Sequence, residues 1–269
     1  EPTTLMYYGK IPPERDTAVK WNIDDWDLVP QSTSPSVTEY LNGVCGTDKY
    51  VPILDPIHPK WHDPTAEKIY TVAYCGGTHE CHACRGSTND IHMMLKQFVN
   101  VLREFPDSIH ISAWPQFDGE TATHLEITDA HKMQLLNQTK IQVIKNSHFG
   151  WHTVKVKKLP DWNKYNWTSR VDDNWVPQLK SRVAEACICK NLMLVHRDPW
   201  NEIEHYLEPD KHFIYFDDAD DLRVKIKECL DDWDSAKKIA ENAYREYMRV
   251  HCINAFYHKY LQKWDTYAA

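Results

Sequence analysis

The sequence predicts an α/β fold in which a parallel sheet carries helices on both faces. Short runs rich in β-branched and aromatic residues alternate along the chain with segments whose apolar residues recur every three or four positions. This alternation is typical of parallel sheets, because parallel neighbours need a crossover and a helix is the usual one. The 269 residues suffice for one large domain or two modest ones.

The clearest strand and helix lie in the first half of the chain. Residues 68–75 read K-I-Y-T-V-A-Y-C and end at Gly76 and Gly77, as a buried strand before a tight loop does. A helix follows, with Thr88 or Asn89 as its N-cap. Its apolar face is formed by Ile91, Leu95, Phe98, Val99 and Leu102.

Further elements follow in alternation. We predict strands at 108–114, 140–145, 190–196 and 212–216, and a helical segment at 131–136. A long C-terminal helix begins at Ser235 as N-cap and ends or bends near His251. Its apolar stripe is formed by Ile239, Ala243, Tyr247, Val250, Ile253, Tyr257, Leu261 and Trp264.

The N-terminal part differs in composition. It offers a strand-like segment at 26–30, a helical patch at 37–41 and a proline-rich extended connection at 49–64. We therefore divide the chain into a reduced N-terminal lobe with its linker, residues 1–65, and an α/β domain, residues 66–269.

Composition excludes several classes of function. The chain has 39 acidic residues against 31 Lys and Arg, so nucleic acid is not expected as a partner. The 8 glycines form neither a dinucleotide-binding turn nor a phosphate loop. No apolar run reaches the ~20 residues of a membrane span, and the 8 cysteines are too sparse for a disulfide scaffold. These features favour a cytoplasmic location, with the Golgi or endoplasmic reticulum lumen as the alternative if an N-terminal anchor has been removed.

The segment 175–185, W-V-P-Q-L-K-S-R-V-A-E, is the strongest candidate site. Pro177 suits the first turn of a helix, which would place the free N–H groups and the positive dipole end near residues 176–179. Lys180 and Arg182 add positive charge, as a phosphate site requires. Arg182 and Glu185 share a helix face and so suit a diphosphate and a ribose diol. On spacing alone, an intrahelical surface ion pair explains them better.

Longer motifs surround that segment. They are K-S-R-V-A-E-A-C, the strand N-L-M-L-V, the stretch D-P-W-N-E-I-E-H-Y-L-E-P-D-K-H-F-I-Y-F-D-D-A-D-D-L and the helix A-K-K-I-A-E-N-A-Y-R-E-Y. Together they resemble the donor half of GT-B glycosyltransferases, and most closely the exostosin-like and related families that use nucleotide sugars. The run K-I-Y-T-V-A-Y-C-G-G followed by Arg85 resembles the strand, glycine loop and arginine of those families. Lys190 departs from the pattern, which has a small residue there, and residues 1–65 are shorter than a full acceptor lobe.

The resemblance implies a Rossmann-like, GT-B-type donor domain and an enzyme that moves a hexose or pentose from a nucleoside diphosphate to a hydroxyl of a saccharide or glycoprotein glycan. A UDP-sugar such as UDP-xylose is favoured, with inversion at the sugar and no metal ion or other cofactor. Arg182 would contact the diphosphate, and Glu185 or Glu202 the ribose or sugar hydroxyls. The remaining donor-binding residues would be Gly76, Gly77, His79, Arg85 and Ser181. The catalytic base would come from the first lobe, among Glu14, Asp16, Asp24, Asp25 and Asp27, with Asp16 preferred.

Two other functions remain open. The chain is also consistent with a non-catalytic saccharide- or nucleotide-binding module that kept the donor fold. A second group of residues, Cys75, His79, Cys81, His82 and Cys84, would suit a zinc or thiol protein built on Cys81 and Cys84, although a structural zinc site usually needs another well-spaced pair.

Overall fold

The computed structural model describes residues 29–31, 35–78, 89–113, 118–119, 121–146, 148–149, 175–176, 179–198 and 200–261. The strands are β1 (Val29–Gln31), β2 (Tyr50–Pro52), β3 (Tyr70–Cys75), β4 (Ile109–Ser112), β5 (His124–Leu125), β6 (Thr139–Ile144), β7 (His148–Phe149), β8 (Trp175–Val176), β9 (Leu192–His196) and β10 (Ile214–Phe216). The α-helices are α1 (Pro35–Cys45), α2 (Asn89–Leu102), α3 (Asp129–Asn137), α4 (Ser181–Ile188), α5 (Ala219–Asp231), α6 (Trp233–Val250) and α7 (Ile253–Phe256). Short 3₁₀-helices lie at Pro59–Trp61 and Glu202–His205, and a π-helix lies at Tyr257–Leu261.

A six-stranded sheet organises the larger part of the chain. Its strand order is β10-β9-β6-β3-β4-β5, and every neighbouring pair is parallel. Starting from β3 near the centre, the chain adds β4 and β5 on one side and then β6, β9 and β10 on the other, as in doubly wound folds. The predicted parallel sheet is confirmed, and each predicted strand corresponds to an observed one.

Helices cover both faces of this sheet. Side chains alternate between the faces along β3, with Val72 and Tyr74 in one apolar cluster and Ala73 and Cys75 in the other. Helices α2 and α5 contribute residues to the first cluster, whereas α3, α4 and the second half of α6 contribute to the other. Because both faces are buried, the central strands read as continuous apolar runs.

The N-terminal residues that the structure describes form a small unit of their own. Strands β1 and β2 pair in parallel, and α1 connects them. Asn42 fixes the connection, since its amide exchanges two 2.9 Å hydrogen bonds with the backbone of Tyr50. The following linker lies against α6, where the Tyr247 hydroxyl donates to the Asp55 carbonyl and accepts from the Ile57 N–H, both at 2.6 Å. The boundary near residue 65 stays a prediction.

The C-terminal helix ends where the sequence predicts but begins differently. Helix α6 ends at Val250, with His251 as its C-cap. Its N-cap is Asp232 and not Ser235, because the Asp232 carboxylate accepts from the Ser235 N–H at 3.2 Å. Asp and Ser are comparable caps, so local preference does not distinguish them. No helix in the part of the chain described above has the length and apolar composition needed to cross a membrane.

The helix that carries Arg182 begins later than predicted. Val176 lies in β8, which pairs antiparallel with β7, and Lys180 is still extended at φ −99° and ψ 143°. Helix α4 therefore starts at Ser181, and the prediction of a helix end near 176–179 is wrong. The pairing with β7 holds Trp175 and Val176 extended, outside the helix that the sequence predicts to begin near them. As a result, Arg182 lies in the first turn itself, close to the positive end of the helix dipole.

The acidic run before α5 acts as a helix cap. The Asp218 carboxylate accepts from the N–H groups of Asp220 and Asp221, both at 2.9 Å. We expect Asp218→Ala to lower the free energy of unfolding by about 1 kcal/mol, as loss of an N-cap usually does. Urea denaturation measures this change. Lys227→Ala, on the exposed face in the middle of α5, is the control and should change the stability by less than about 0.5 kcal/mol. An unchanged stability of Asp218→Ala would contradict the assignment.

Candidate donor-binding site

The carboxyl ends of β3 and β4 meet the amino end of α4 around a cavity of about 240 Å³. Ligands of open α/β sheets bind at this edge, because the loops that follow the strands diverge there. Five of the predicted site residues line the cavity together: Gly76, Gly77, Ser181, Arg182 and Glu185. The other lining residues are Cys75, Ile111, Ser112, Ala113, Ile127, Asp129 and Lys132.

Gly76 and Arg182 are in direct contact. The backbone of Gly76 has φ +154°, a conformation that side chains rarely allow. A Cβ atom at this position would lie 2.9 Å from Arg182 Nη2 and 3.1 Å from the Tyr74 hydroxyl. Only glycine therefore lets the guanidinium lie against the backbone after β3. This contact joins two motifs that are about a hundred residues apart in the chain.

Three cations gather at the amino end of α4. Burial lowers the pKa of Lys145 to about 7, with Asp198 opposing the shift and Arg182 adding to it. Burial, Arg182 and Lys145 also lower the pKa of Lys180 well below its usual value. Burial is the main cause of both shifts, and the smaller effect of each charge on its neighbours indicates that the three side chains lie near one another. An anion with several charges would relieve that repulsion.

Glu185 faces the cavity from the next turn of α4. One carboxylate oxygen, Oε1, accepts from Lys132 Nζ at 2.9 Å. Burial alone would lower the Lys132 pKa, but Glu185 and Asp129 raise it overall. The second oxygen, Oε2, is buried and has no hydrogen-bond partner among the described residues. Glu185 therefore pairs with a lysine from α3, and it keeps one acceptor for a ligand.

A larger cavity adjoins this one. It has a volume of about 500 Å³ and shares Asp129, Lys132, Ser181 and Glu185 with the first. Its remaining walls come from the linker, α3 and α7, and they are mostly apolar: Asp55, Pro56, Ile57, Trp61, Met133, Ile253 and Phe256. A ligand bound at Glu185 can extend to either side.

Glu202 lies elsewhere. Its carboxylate accepts from the Ser36 N–H at 3.2 Å and from the Ser36 hydroxyl, at the amino end of α1. Burial raises its pKa, and the two Ser36 hydrogen bonds oppose that shift. Both oxygens are thus engaged in holding α1 against the 3₁₀-helix Glu202–His205. Glu202 does not line the cavity with the other predicted residues, and its contact with the ribose or the sugar stays a prediction.

Several predicted residues fall outside the described part of the chain. Among them are Asp16, His79, Arg85, Cys81 and Cys84. Cys75 is described: it is buried, and burial raises its pKa to about 12. A thiol with that pKa stays protonated at neutral pH and is a poor nucleophile. Within the described residues, no group of three His, Cys, Asp or Glu side chains is placed to hold a metal ion.

Lys132 and Lys145 are site residues that sequence reasoning missed. Lys145 directly follows β6, whose carboxyl end lies at the same edge of the sheet as that of β3. That position was the available signal, since a lysine right after a buried parallel strand reaches the ligand-binding edge. Lys132 gave no comparable signal, because its role depends on a contact with Glu185, which is 53 residues away.

Comparison with known proteins agrees with this architecture. A family model described as glycosyl transferase-like matches residues 92–262. A search of curated protein sequences gave no significant match. Among solved structures, a glycosyltransferase from Rickettsia africae has a TM-score of 0.59 at 14% identity, over 97% of this chain and 70% of its own. Sucrose-phosphate synthase from Thermosynechococcus elongatus has a TM-score of 0.58 at 11% identity, over 98% and 68%.

Two further structures contain nucleotides. Anabaena Alr3699/HepE in complex with UDP-glucose has a TM-score of 0.58 at 11% identity, over 98% of this chain and 72% of its own. A TarM mutant from S. aureus, in complex with fondaparinux, alpha-GlcNAc-glycerol and UDP, has a TM-score of 0.57 at 10% identity. The chain spans 50% of the length of TarM.

These structural neighbours are GT-B glycosyltransferases, and at such low identity the likeness concerns the fold. The predicted GT-B-type, Rossmann-like fold is confirmed. Because the glycosyl transferase-like model covers well over half of the residues, the chain belongs to that family.

Proposed function

We propose that the chain transfers a sugar from a nucleoside diphosphate donor to a hydroxyl of a saccharide or glycan acceptor. The observation that carries the proposal is a positively charged group at the amino end of α4: Arg182 lines the cavity, and the buried side chains of Lys145 and Lys180 lie near it. A diphosphate supplies the multiple negative charge that such a group attracts, and the free N–H groups of the first helical turn add hydrogen bonds. We expect no divalent ion, because Arg182 and the amino end of α4 supply positive charge at the cavity.

Glu185 suits the ribose of such a donor. Glu185 lines the same cavity as Arg182, and its Oε2 has no hydrogen-bond partner among the described residues. A carboxylate accepts well from hydroxyl groups, and the ion pair with Lys132 holds this one in place. We favour UDP-sugars, including UDP-xylose, since UDP and UDP-glucose occupy two of the structural neighbours.

The chemistry proposed is a single inverting displacement. A carboxylate of residues 1–65, with Asp16 preferred, takes the proton of the acceptor hydroxyl. The oxygen then forms a bond to the anomeric carbon as the bond from that carbon to the diphosphate oxygen breaks. The bonding electrons leave with the diphosphate, whose growing charge Arg182 and the helix end stabilise.

Product analysis tests this function. The protein is incubated in EDTA with each of several UDP- and GDP-sugars and with saccharide acceptors, and released nucleotide and glycosylated acceptor are measured. We expect equal amounts of UDP and of transferred sugar with one donor, and a product of inverted anomeric configuration. Binding of a nucleotide without any turnover would instead support a non-catalytic module.

Binding of UDP-glucose should weaken as the pH rises. Lysine is charged below its pKa, so Lys145 loses its charge as pH rises through about 7. Because the diphosphate favours the charged form, affinity should fall by up to about tenfold per pH unit between about pH 7 and pH 8.5. UDP-glucose is the appropriate probe, since it lacks the terminal phosphate ionisation near pH 6 of UDP itself.

The variant Lys145→Met should bind more weakly and with a smaller pH dependence than the wild-type protein, as measured by calorimetry across this range; Lys180, whose pKa is also lowered, accounts for the remainder. Lys211→Met is the control, because Lys211 is exposed and pairs with Glu208 on the surface. It should keep the slope of the wild-type protein. A wild-type affinity that is constant across the range would contradict the role of Lys145.

A further inference from the structure

Two buried side chains fix the glycine segment, residues 76–78, that follows β3. We propose that Asp118 and His110 are positioning residues, which hold this segment in its ligand-binding conformation without touching the ligand themselves. The inference rests on the proposed function, since it concerns the same donor site. It adds a source of affinity that lies behind the cavity wall.

Asp118 anchors the end of the segment. The side chain is fully buried, at 0% exposure, and accepts from the Thr78 N–H at 3.0 Å, from the Thr78 hydroxyl and from the Ser112 hydroxyl at 2.6 Å. A buried carboxylate is costly unless donors satisfy it, so these hydrogen bonds stabilise the arrangement only while Thr78 and Ser112 stay in place. Asp118 thereby joins the loop after β3 to the end of β4.

His110 anchors the beginning of the segment. Its Nε2 lies 2.8 Å from the Gly76 carbonyl oxygen, and it must be the donor because the carbonyl only accepts. The Gly76 N–H in turn donates to the Ile111 carbonyl at 2.9 Å. Both backbone groups of Gly76 are therefore held by β4, in the left-handed conformation that admits Arg182.

These contacts continue past the last paired residues of β3 and β4, so the pairing of the two strands does not account for them. The register of β3 with β4 ends at the pair Cys75 and Ile111, and the contacts to Gly76 and Thr78 continue past it. Gly76, Gly77 and Ser112 all line the cavity. A segment ordered in advance binds a diphosphate without the entropy loss of becoming ordered on binding. The Thr78 N–H donates to the Asp118 carboxylate, so this hydrogen bond holds the loop and does not contact the ligand.

Two matched threonine variants test the inference. Thr78→Val removes the hydroxyl that donates to Asp118. Thr139→Val removes an equally buried hydroxyl, which donates to the Leu135 carbonyl at 2.8 Å at the amino end of β6, the opposite edge of the sheet. Calorimetric titration with UDP is performed at a temperature where both variants are folded. We expect Thr78→Val to raise the Kd about tenfold and Thr139→Val to change it less than about twofold.

Two more variants complete the experiment. Thr78→Ser keeps the donor and should bind UDP as the wild-type protein does. Thr78→Ala also removes the donor to Asp118, should weaken binding in the same direction, and serves if Thr78→Val does not fold. Equal Kd values for Thr78→Val and the wild-type protein, or equal losses in Thr78→Val and Thr139→Val, would overturn the inference alone. Failure of the wild-type protein to bind any nucleotide would overturn the proposed function and this inference with it.

Discussion

Arg182→Ala is expected to weaken UDP binding by about 10- to 100-fold, which corresponds to about 1.5–3 kcal/mol for a charge-assisted hydrogen bond. The guanidinium lies against Gly76, in the first turn of α4 and on the wall of the 240 Å³ cavity. It therefore combines its own charge with the positive end of the helix dipole. Calorimetric titration with UDP in EDTA measures the loss.

Arg249→Ala provides the matched control. Arg249 pairs with Glu246 on the exposed face of α6, with 70% of its side chain accessible, and should leave the Kd unchanged. The free protein gives a second measurement. Because Arg182 lowers the pKa of Lys145 and Lys180, removing it should raise both and should not reduce resistance to urea. If Arg182 only formed a surface ion pair, its removal would leave UDP binding unchanged. An Arg182→Ala protein that binds UDP as the wild type does would therefore refute the assignment.

Gly76→Ala should have an effect of similar size for a different reason. A methyl group at this position would lie 2.9 Å from Arg182 Nη2 and 3.1 Å from the Tyr74 hydroxyl, in a backbone conformation with φ +154°. We expect the guanidinium to move away, UDP binding to fall at least about tenfold, and the free energy of unfolding to fall by about 1–3 kcal/mol through backbone strain. Titration and urea denaturation measure the two effects separately.

Gly46→Ala is the control that distinguishes an effect of backbone strain from an effect of the contact with Arg182. Gly46 also has a positive φ, +63°, but a Cβ atom there meets nothing within 4 Å. Its substitution should cost about 1–2 kcal/mol of stability and leave UDP binding unchanged. If both alanine variants bind UDP equally well, the contact between Gly76 and Arg182 has no role in binding.

The fold was predictable because its evidence is local. Five strands of the large sheet lie in short, mostly apolar runs, whereas the two-residue β5 was not predicted, and α2 and α6 carry apolar residues at helical spacing. The errors arose where contacts with residues distant in the sequence determine the local structure. Helix α4 begins only at Ser181, whereas Trp175 and Val176 pair with β7, and no property of residues 175–185 alone indicates that pairing.

The site was predictable in part for the same reason. Arg182 and Gly76 stand next to recognisable elements, a helix start and a strand end, so their meeting at one edge of the sheet follows from the topology. The contacts between side chains within the site could not be predicted from the topology. The spacing of Arg182 and Glu185 suggests a pair, whereas Glu185 contacts Lys132 from α3. Asp118 has no motif, and its importance depends wholly on the donors that converge on it.

Saturation-transfer NMR with UDP in the presence of EDTA tests the central claim most directly, because it detects contact between nucleotide and protein without requiring turnover. We predict a saturable transfer signal from the uridine and ribose protons of UDP, competed by UDP-glucose and strongly reduced in Arg182→Ala. A wild-type protein that gives no signal with UDP, GDP or their sugars, while correctly folded, would contradict a metal-independent nucleotide site at the amino end of α4.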